Sequence, residues 1–205
     1  MRDSKKKIRT ELRRRLAGLS EEGIASASAR IADRLCQLRC WREARVVFVF
    51  LSMEREVQTQ ELIERAWTEG KRVAVPRMDW ERGTMSAVEM VRGATELERT
   101  RHGMLQPARG QAIAPEAIDL VLTPGVAFDG EGGRLGRGGG FYDRFLAQAA
   151  SAGRAAACGL AFECQCVDEP LPGEPTDAGV DLLVTESDVR GFTRRGAAAA
   201  ESART

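Results

Sequence analysis

The chain has 205 residues, of which 43% are hydrophobic, and its formal net charge is +1. This length and apolar content suffice for one well-buried core, while the nearly balanced charge argues against a nucleic-acid-binding protein. No apolar run is long enough to cross a bilayer, and the basic start Lys5–Lys7 lacks the apolar segment of a secretory signal, so we expect a cytoplasmic monomer with no membrane partner.

The first predicted element is an amphipathic helix over Asp3–Leu16. Ile8, Leu12 and Leu16 recur at helical spacing on one face, and the rest of the helix is rich in Lys and Arg. Such a basic face is typical of a solvated surface, a membrane surface or an acidic partner. A second helix is expected to begin after a capping Ser20 and to run to about residue 38.

The strongest predicted strand is Ala44–Leu51, which is apolar throughout, as in a strand covered on both faces. A helix over Thr59–Glu69 follows, ended by a glycine. Two further strands are predicted over Arg72–Pro76 and Met85–Val91. The segment Thr95–Arg101 is expected to form a short helix or turn.

The segment Asp119–Leu146 combines a buried strand, a glycine-dense loop and the start of a helix at Phe141. Glycines allow backbone N–H groups to approach an anion, and a helix N-terminus adds partial positive charge. Arg134 and Arg137 lie among the glycines and add charge-assisted donors. The loop therefore predicts a phosphate site, although it matches neither the P-loop nor the dinucleotide fingerprint.

Two strands over Ala155–Phe162 and Val180–Glu186 complete the pattern. Strands that alternate with helices predict an α/β fold with a mainly parallel central sheet and helices on both faces, a three-layer Rossmann-like arrangement. We expect one domain over residues 1–189. Residues 190–205 are rich in Ala and Arg without apolar periodicity, which predicts a disordered tail. The five cysteines have no disulfide-framework or zinc spacing and are expected to be free thiols.

The glycine-rich segment closely resembles the signature of the 5-formyltetrahydrofolate cyclo-ligases. The match comprises Pro124-Gly125, Ala127-Phe128-Asp129 and the run from Arg134 to Asp143. Phe141 replaces a tyrosine of that signature, and Gly139 stands where some relatives have lysine. The segment 102–107 resembles a further family motif, which predicts a loop over the site. His-Asp in relatives corresponds here to Thr176-Asp177.

The resemblance implies a set of site residues. Lys5 and Arg9 would contact ATP phosphates, and Asp143 and Asp177 would ligate Mg²⁺. Arg137 and Tyr142 are the residues expected to be catalytic. The remaining implied ATP contacts are Arg134, Leu135, Gly136, Arg137, Gly138, Gly139, Gly140, Phe141 and Tyr142. The implied contacts with a reduced folate are Leu51, Met53, Glu56, Arg137, Phe141 and Tyr142.

The implied activity is the conversion of 5-formyltetrahydrofolate to 5,10-methenyltetrahydrofolate, with ATP and Mg²⁺, through phosphorylation of the formyl oxygen and ring closure by N10. Two alternatives stay open at this point. One is a related enzyme that acts on another substrate, since the loop recognises ATP and not pterin. The other is a nucleotide- or folate-binding module without turnover.

Overall fold

The computed structural model describes residues 2–151 and 155–192. Within these ranges the α-helices are α1 (Arg2–Ala17), α2 (Glu21–Gln37), α3 (Arg39–Glu43), α4 (Gln60–Thr68) and α5 (Phe141–Ser151). The strands of the main sheet are β1 (Val46–Phe48), β2 (Arg72–Asp79), β3 (Thr84–Glu89), β6 (Ala112–Ile113), β7 (Leu120–Thr123), β10 (Ala156–Leu160), β12 (Leu182–Val184) and β13 (Val189–Gly191). The smaller sheets contain β4 (Leu97–Arg99), β5 (Leu105–Pro107), β8 (Ala127–Asp129), β9 (Arg134–Leu135) and β11 (Cys166–Val167).

The main sheet has the strand order β13-β12-β10-β7-β1-β2-β3-β6. Its five central strands, from β12 to β2, are mutually parallel; outside them β13 pairs antiparallel with β12, β3 with β2, and β6 with β3. The prediction of a mainly parallel α/β sheet is confirmed. In such sheets the carboxyl ends of the parallel strands form the usual ligand site.

The side chains of β1 alternate between the two faces of the sheet, as strand geometry requires. Val47 packs in the cluster that includes the buried faces of α2, α3 and α4. Val46 and Phe48 pack with α5 on the opposite face. Helices therefore cover both faces, which confirms the predicted three layers.

Helix α1 packs against the small sheet β11-β8-β9, and its Leu16 also reaches the core of the main sheet. Leu12 is buried with Ala127 and Leu135 in a separate apolar cluster. This packing brings one face of α1 beside the segment that follows β9, which is the glycine-rich loop. Ser20 caps α2 as predicted, because its side-chain oxygen accepts the N–H of Gly23 at 3.0 Å.

The domain boundary predicted at residue 189 is too early. Arg190 and Gly191 pair with Leu183 and Leu182 as part of β13, because the edge of β12 has free backbone groups that this segment satisfies. Residues 193–205 lie outside the described part of the chain, so a tail there stays a prediction. All five cysteines are free thiols, as predicted. No helix of the described ranges is long and apolar enough to span a membrane.

Candidate active site

A cavity of about 1000 Å³ opens where β1, β2 and β7 end. Every residue predicted to bind ATP, a reduced folate or a metal ion lines it: Lys5, Arg9, Leu51, Met53, Glu56, residues 134–143 and Asp177. These residues come from four separate parts of the chain. The fold therefore brings the predicted residues to one place, and their individual roles stay predictions.

The glycine-rich loop enters the cavity after β9 and ends where α5 begins. Arg9 on α1 fixes its first peptide, because its Nε donates to the carbonyl of Gly136 at 2.8 Å. Gly138 has φ of +107°, a conformation that L side chains rarely adopt. Among the described residues, the backbone N–H groups of 137–143 donate no hydrogen bond within the chain. This run of unused donors at a helix N-terminus has the character of an anion site.

Beneath the loop, Arg134 and Asp143 form a buried ion pair. The Arg134 side chain is only 2% exposed, and its Nη2 donates to Asp143 Oδ1 at 2.5 Å. The same carboxylate oxygen accepts the N–H of Ala178 at 3.2 Å. Burial lowers the pKa of Arg134, and the Asp143 carboxylate opposes this effect. The pair joins the end of the loop to the segment that contains Asp177.

Lys5 reaches the cavity across 172 residues of sequence to pair with Asp177. Its Nζ donates to Asp177 Oδ2 at 2.6 Å and lies 3.7 Å from a carboxylate oxygen of Glu174. The N–H of Glu174 donates to the same oxygen of Asp177 at 2.7 Å. Partial burial raises the pKa of Asp177, but the hydrogen bonds from Lys5 and Glu174 outweigh it, so the pKa lies below its usual value.

Arg137 and Glu56 form an ion pair in the cavity wall. The Arg137 guanidinium donates to Glu56 Oε1 from Nη2 at 2.7 Å and from Nε at 3.2 Å. The other carboxylate oxygen accepts the N–H of Met53 at 3.0 Å. Arg137, which is predicted to contact both ATP and the folate, is therefore in contact with the carboxylate predicted for the folate.

Leu51, Met53, Phe141 and Tyr142 contribute apolar surface to the cavity wall. Tyr142 packs edge-on against Phe48, with 6.3 Å between ring centres. Its phenolic oxygen is buried and has no hydrogen-bond partner among the described residues. Burial, together with the negative charge of Glu56, raises the pKa of Tyr142 well above its usual value. The phenol is therefore neutral and retains its proton.

Trp80 is a prominent wall residue that sequence reasoning missed. Its ring lies 4.0 Å from that of His102 and 4.9 Å from that of Phe141, between ring centres. Its Nε1 is buried, with no partner among the described residues. Trp80 begins the turn between β2 and β3, and nothing in the local pattern marked this turn as part of the site.

The prediction of a short helix or turn over residues 95–101 is wrong. Residues Leu97–Arg99 instead pair antiparallel with Leu105–Pro107, since the extended pairing satisfies backbone groups that a short helix would leave open. The loop of this hairpin carries Met104 to the cavity and places the His102 ring against Trp80.

Comparison with known proteins gives a consistent family match. The model of the 5-formyltetrahydrofolate cyclo-ligase family matches residues 1–186. A 5-formyltetrahydrofolate cyclo-ligase of Escherichia coli (strain K12) is 35% identical over 181 residues, which cover 87% of this chain and 98% of that protein. The protein of the same name from Mus musculus is 31% identical over 149 residues, covering 70% of this chain and 73% of its own length.

Solved structures agree with these matches. The NMR structure of Aquifex aeolicus 5,10-methenyltetrahydrofolate synthetase is similar with a TM-score of 0.80 and 29% identity, covering 93% of both chains. A 5,10-methenyltetrahydrofolate synthetase from Mycoplasma pneumoniae has a TM-score of 0.71 at 20% identity, with 89% of this chain and 98% of that one covered. The second likeness supports the fold alone.

Proposed function

The chain belongs to the 5-formyltetrahydrofolate cyclo-ligase family, and on this premise we propose that it converts 5-formyltetrahydrofolate and ATP to 5,10-methenyltetrahydrofolate, ADP and phosphate. One observation carries the proposal: a single cavity is lined by Lys5, Arg9 and Arg137 beside the glycine-rich loop, and also by Leu51 and Met53 beside the partly buried carboxylate of Glu56. A polyphosphate suits the first group, which we call the phosphate end, and a pterin suits the second group, which we call the folate end.

The phosphate end combines positively charged side chains with backbone donors. Lys5, Arg9 and Arg137 line the cavity beside the unused N–H groups of 137–143. Arg134 differs from Arg137, because its side chain is only 2% exposed, against 51% for Arg137, and its donors are directed to Asp143 and to the carbonyls of Ala178 and Pro124. We therefore assign Arg134 to support of the loop from beneath and the other cations to the phosphate oxygens.

The folate end is built around Glu56. A carboxylate accepts hydrogen bonds, and a pterin presents an amino group and ring N–H groups as donors. The side chain of Glu56 is only 14% exposed, so hydrogen bonds to it form in a poorly hydrated environment. Leu51, Met53 and Phe141 provide apolar surface for the ring system.

The chemistry requires a better leaving group, because an amide oxygen leaves poorly. The γ-phosphoryl group moves from ATP to the formyl oxygen, which breaks its bond to ADP. N10 then attacks the formyl carbon and loses its proton, a C–N bond forms, and the C–O bond breaks as the oxygen departs with phosphate. Arg137 neutralises charge on the transferring group. Tyr142 donates a hydrogen bond from its neutral phenol to an oxygen at this junction.

Asp143 and Asp177 fit a Mg²⁺ ion that is shared with the nucleotide. Both described hydrogen bonds to Asp143 use Oδ1, and both to Asp177 use Oδ2. The second oxygen of each carboxylate is thus available to a cation. Mg²⁺ usually takes one or two protein carboxylates and completes its shell with phosphate oxygens and water. When bound, the ion would neutralise charge on the phosphates.

Incubation of the purified protein with 5-formyltetrahydrofolate, with and without Mg·ATP, tests the proposal. We expect the near-ultraviolet absorbance of the methenyl product to appear only with ATP. Tight folate binding without turnover would favour a binding module. Binding of ATP without binding or conversion of the folate would favour a relative that acts on another substrate.

A further inference from the structure

Arg144 lies in the first turn of α5 and connects two loops of the cavity wall. Its Nη2 donates to the carbonyl of Gly139 at 2.9 Å and to the carbonyl of Gly83 at 2.5 Å. The guanidinium carbon lies 5.4 Å from the ring centre of Phe141. Three contacts therefore fix this guanidinium, although the residue is exposed on its helix.

The contact with Gly139 sets the orientation of one peptide in the glycine-rich loop. In a trans peptide the C=O and the following N–H point in opposite directions. With the carbonyl of Gly139 held by Arg144, the N–H of Gly140 points away from the guanidinium, and it donates no hydrogen bond to another described residue. This N–H belongs to the run of unused donors that begins at residue 137.

Gly140 is the residue that allows this arrangement. Its φ is +66°, which favours glycine. A Cβ added there would lie 2.7 Å from Arg144 Nη1. The backbone conformation and the close approach of the guanidinium thus depend on the same missing side chain.

The contact with Gly83 anchors the arginine to a separate element. Gly83 ends the turn between β2 and β3, and Trp80 at the start of this turn packs on Phe141. Because the turn belongs to a long antiparallel pair of the main sheet, it provides a rigid point against which the loop peptide is held.

We propose that Arg144 is a positioning residue for phosphoryl transfer: it turns the Gly140 N–H toward the γ-phosphate of ATP by holding the Gly139 carbonyl against the β2–β3 turn. The proposal rests on the proposed function and adds a residue outside the predicted set. Arg144 itself acts through the backbone and contacts no reacting atom.

The test compares Arg144→Met, which keeps length but has no donors, with Arg144→Lys, which keeps donors and charge. Arg82→Met is the matched control, because Arg82 belongs to the same turn and its side chain is 83% exposed. We expect Arg144→Met to raise the KM for ATP roughly tenfold, the equivalent of one hydrogen bond. The KM for 5-formyltetrahydrofolate should stay within about twofold, because no hydrogen bond to that substrate is removed. Arg144→Lys should recover most of the loss, and Arg82→Met should behave like the unmodified protein.

Three results would overturn the proposal. The first is an Arg144→Met enzyme with unchanged KM for ATP. The second is an equal rise in both KM values with a lower melting temperature, which indicates a structural role only. The third is a deficit that disappears at about 1 M salt, where the screening length is only about 3 Å, since attraction of ATP by charge would then explain it. Arg144→Gln, too short to span both carbonyls, replaces the Met variant if that variant does not fold.

The proposed function is tested separately from this inference. Calorimetry with a non-hydrolysable ATP analogue measures how strongly each Arg144 variant binds the nucleotide, and this measurement requires no turnover. An unmodified protein that binds the analogue but forms no methenyl product would end the proposed function, and the comparison of the Arg144 variants would still decide the role of Arg144 in phosphate binding.

Discussion

The free energy of unfolding of the Asp143→Asn variant is expected to be about 3 kcal/mol lower than that of the unmodified chain, because removing one member of a buried ion pair leaves the charge of the other uncompensated. Arg134 is the residue left behind, with a side chain that is only 2% exposed. We place the cost at the lower end of the range because asparagine keeps one oxygen for the Ala178 N–H, and because the charge of Asp177 also acts on Arg134. From sequence alone, a first-turn acid would contribute only about 0.3–1 kcal/mol.

The measurement is reversible urea or thermal unfolding, with Asp33→Asn as the matched control. Asp33 accepts a hydrogen bond from Arg65 Nη2 at 2.6 Å, but its side chain is 59% exposed, and Arg65 keeps a second partner in Glu61. The control should lose less than about 1 kcal/mol. For a chain of this size, a loss of about 3 kcal/mol corresponds to a melting temperature roughly 6–12 °C lower. Equal destabilisation in both variants would refute the importance of the buried pair.

This stability cost affects how the metal assignment is tested. Loss of turnover in Asp143→Asn alone does not identify a Mg²⁺ ligand, because the same substitution loosens the loop. Turnover should therefore be measured as a function of Mg²⁺ concentration at a temperature where the variant is folded. We expect Asp143→Asn to lose most turnover, Asp177→Asn to lose less, and extra Mg²⁺ to restore part of the activity in at least one of them. Full activity of Asp143→Asn at limiting Mg²⁺ would contradict the assignment.

Three further predictions follow from the cavity. Tyr142→Phe should lower turnover strongly without loss of stability, because it removes a buried hydroxyl that has no partner in the described chain; a large drop in melting temperature would contradict this. Arg9→Ala should raise the KM for ATP about tenfold with little change in melting temperature. Lys5→Ala should raise the KM for ATP and also lower the melting temperature, because Lys5 is buried against Asp177. Unchanged KM values in both variants would indicate that the basic face of α1 is only a solvated surface. The stability that Asp177 contributes should be complete above its usual pKa of about 3.9 and should disappear as the pH falls through its lower folded-state pKa. The measurement is the free energy of unfolding of the unmodified protein and of Asp177→Asn as a function of pH. A difference between the two proteins that persists at lower pH would be inconsistent with that shift.

The elements with strong local signals were predictable from sequence. The structure contains α1, α2 and β1. Each has a signal that depends only on neighbouring residues: the apolar spacing in α1, the cap Ser20 before α2, and the uniformly apolar run of β1. The glycine-rich loop was also visible, because its composition has few other physical explanations. Short edge elements such as β4 were not, since two- or three-residue strands are fixed by pairing partners and not by propensity.

The contacts within the site were beyond sequence reasoning. Glu56 and Arg137 are 81 residues apart, and Lys5 and Asp177 are 172 residues apart. Each could be assigned to a ligand by resemblance, but their mutual pairing depends on how the loop and α1 pack. Arg144 was hidden for a related reason: within α5 it resembles an ordinary solvated residue, and only the position of the β2–β3 turn gives it a function.

Tracing the formyl oxygen through the reaction tests the central claim most directly. If the cavity brings the γ-phosphate of ATP to the formyl oxygen, that oxygen leaves with phosphate when the ring closes. The experiment is one turnover series with 5-formyltetrahydrofolate labelled with ¹⁸O in the formyl group, followed by mass spectrometry of the released phosphate. We predict one labelled oxygen in the phosphate for each methenyl group formed, and ADP in equal amount. Label recovered in water, with unlabelled phosphate, would contradict phosphorylation of the formyl oxygen.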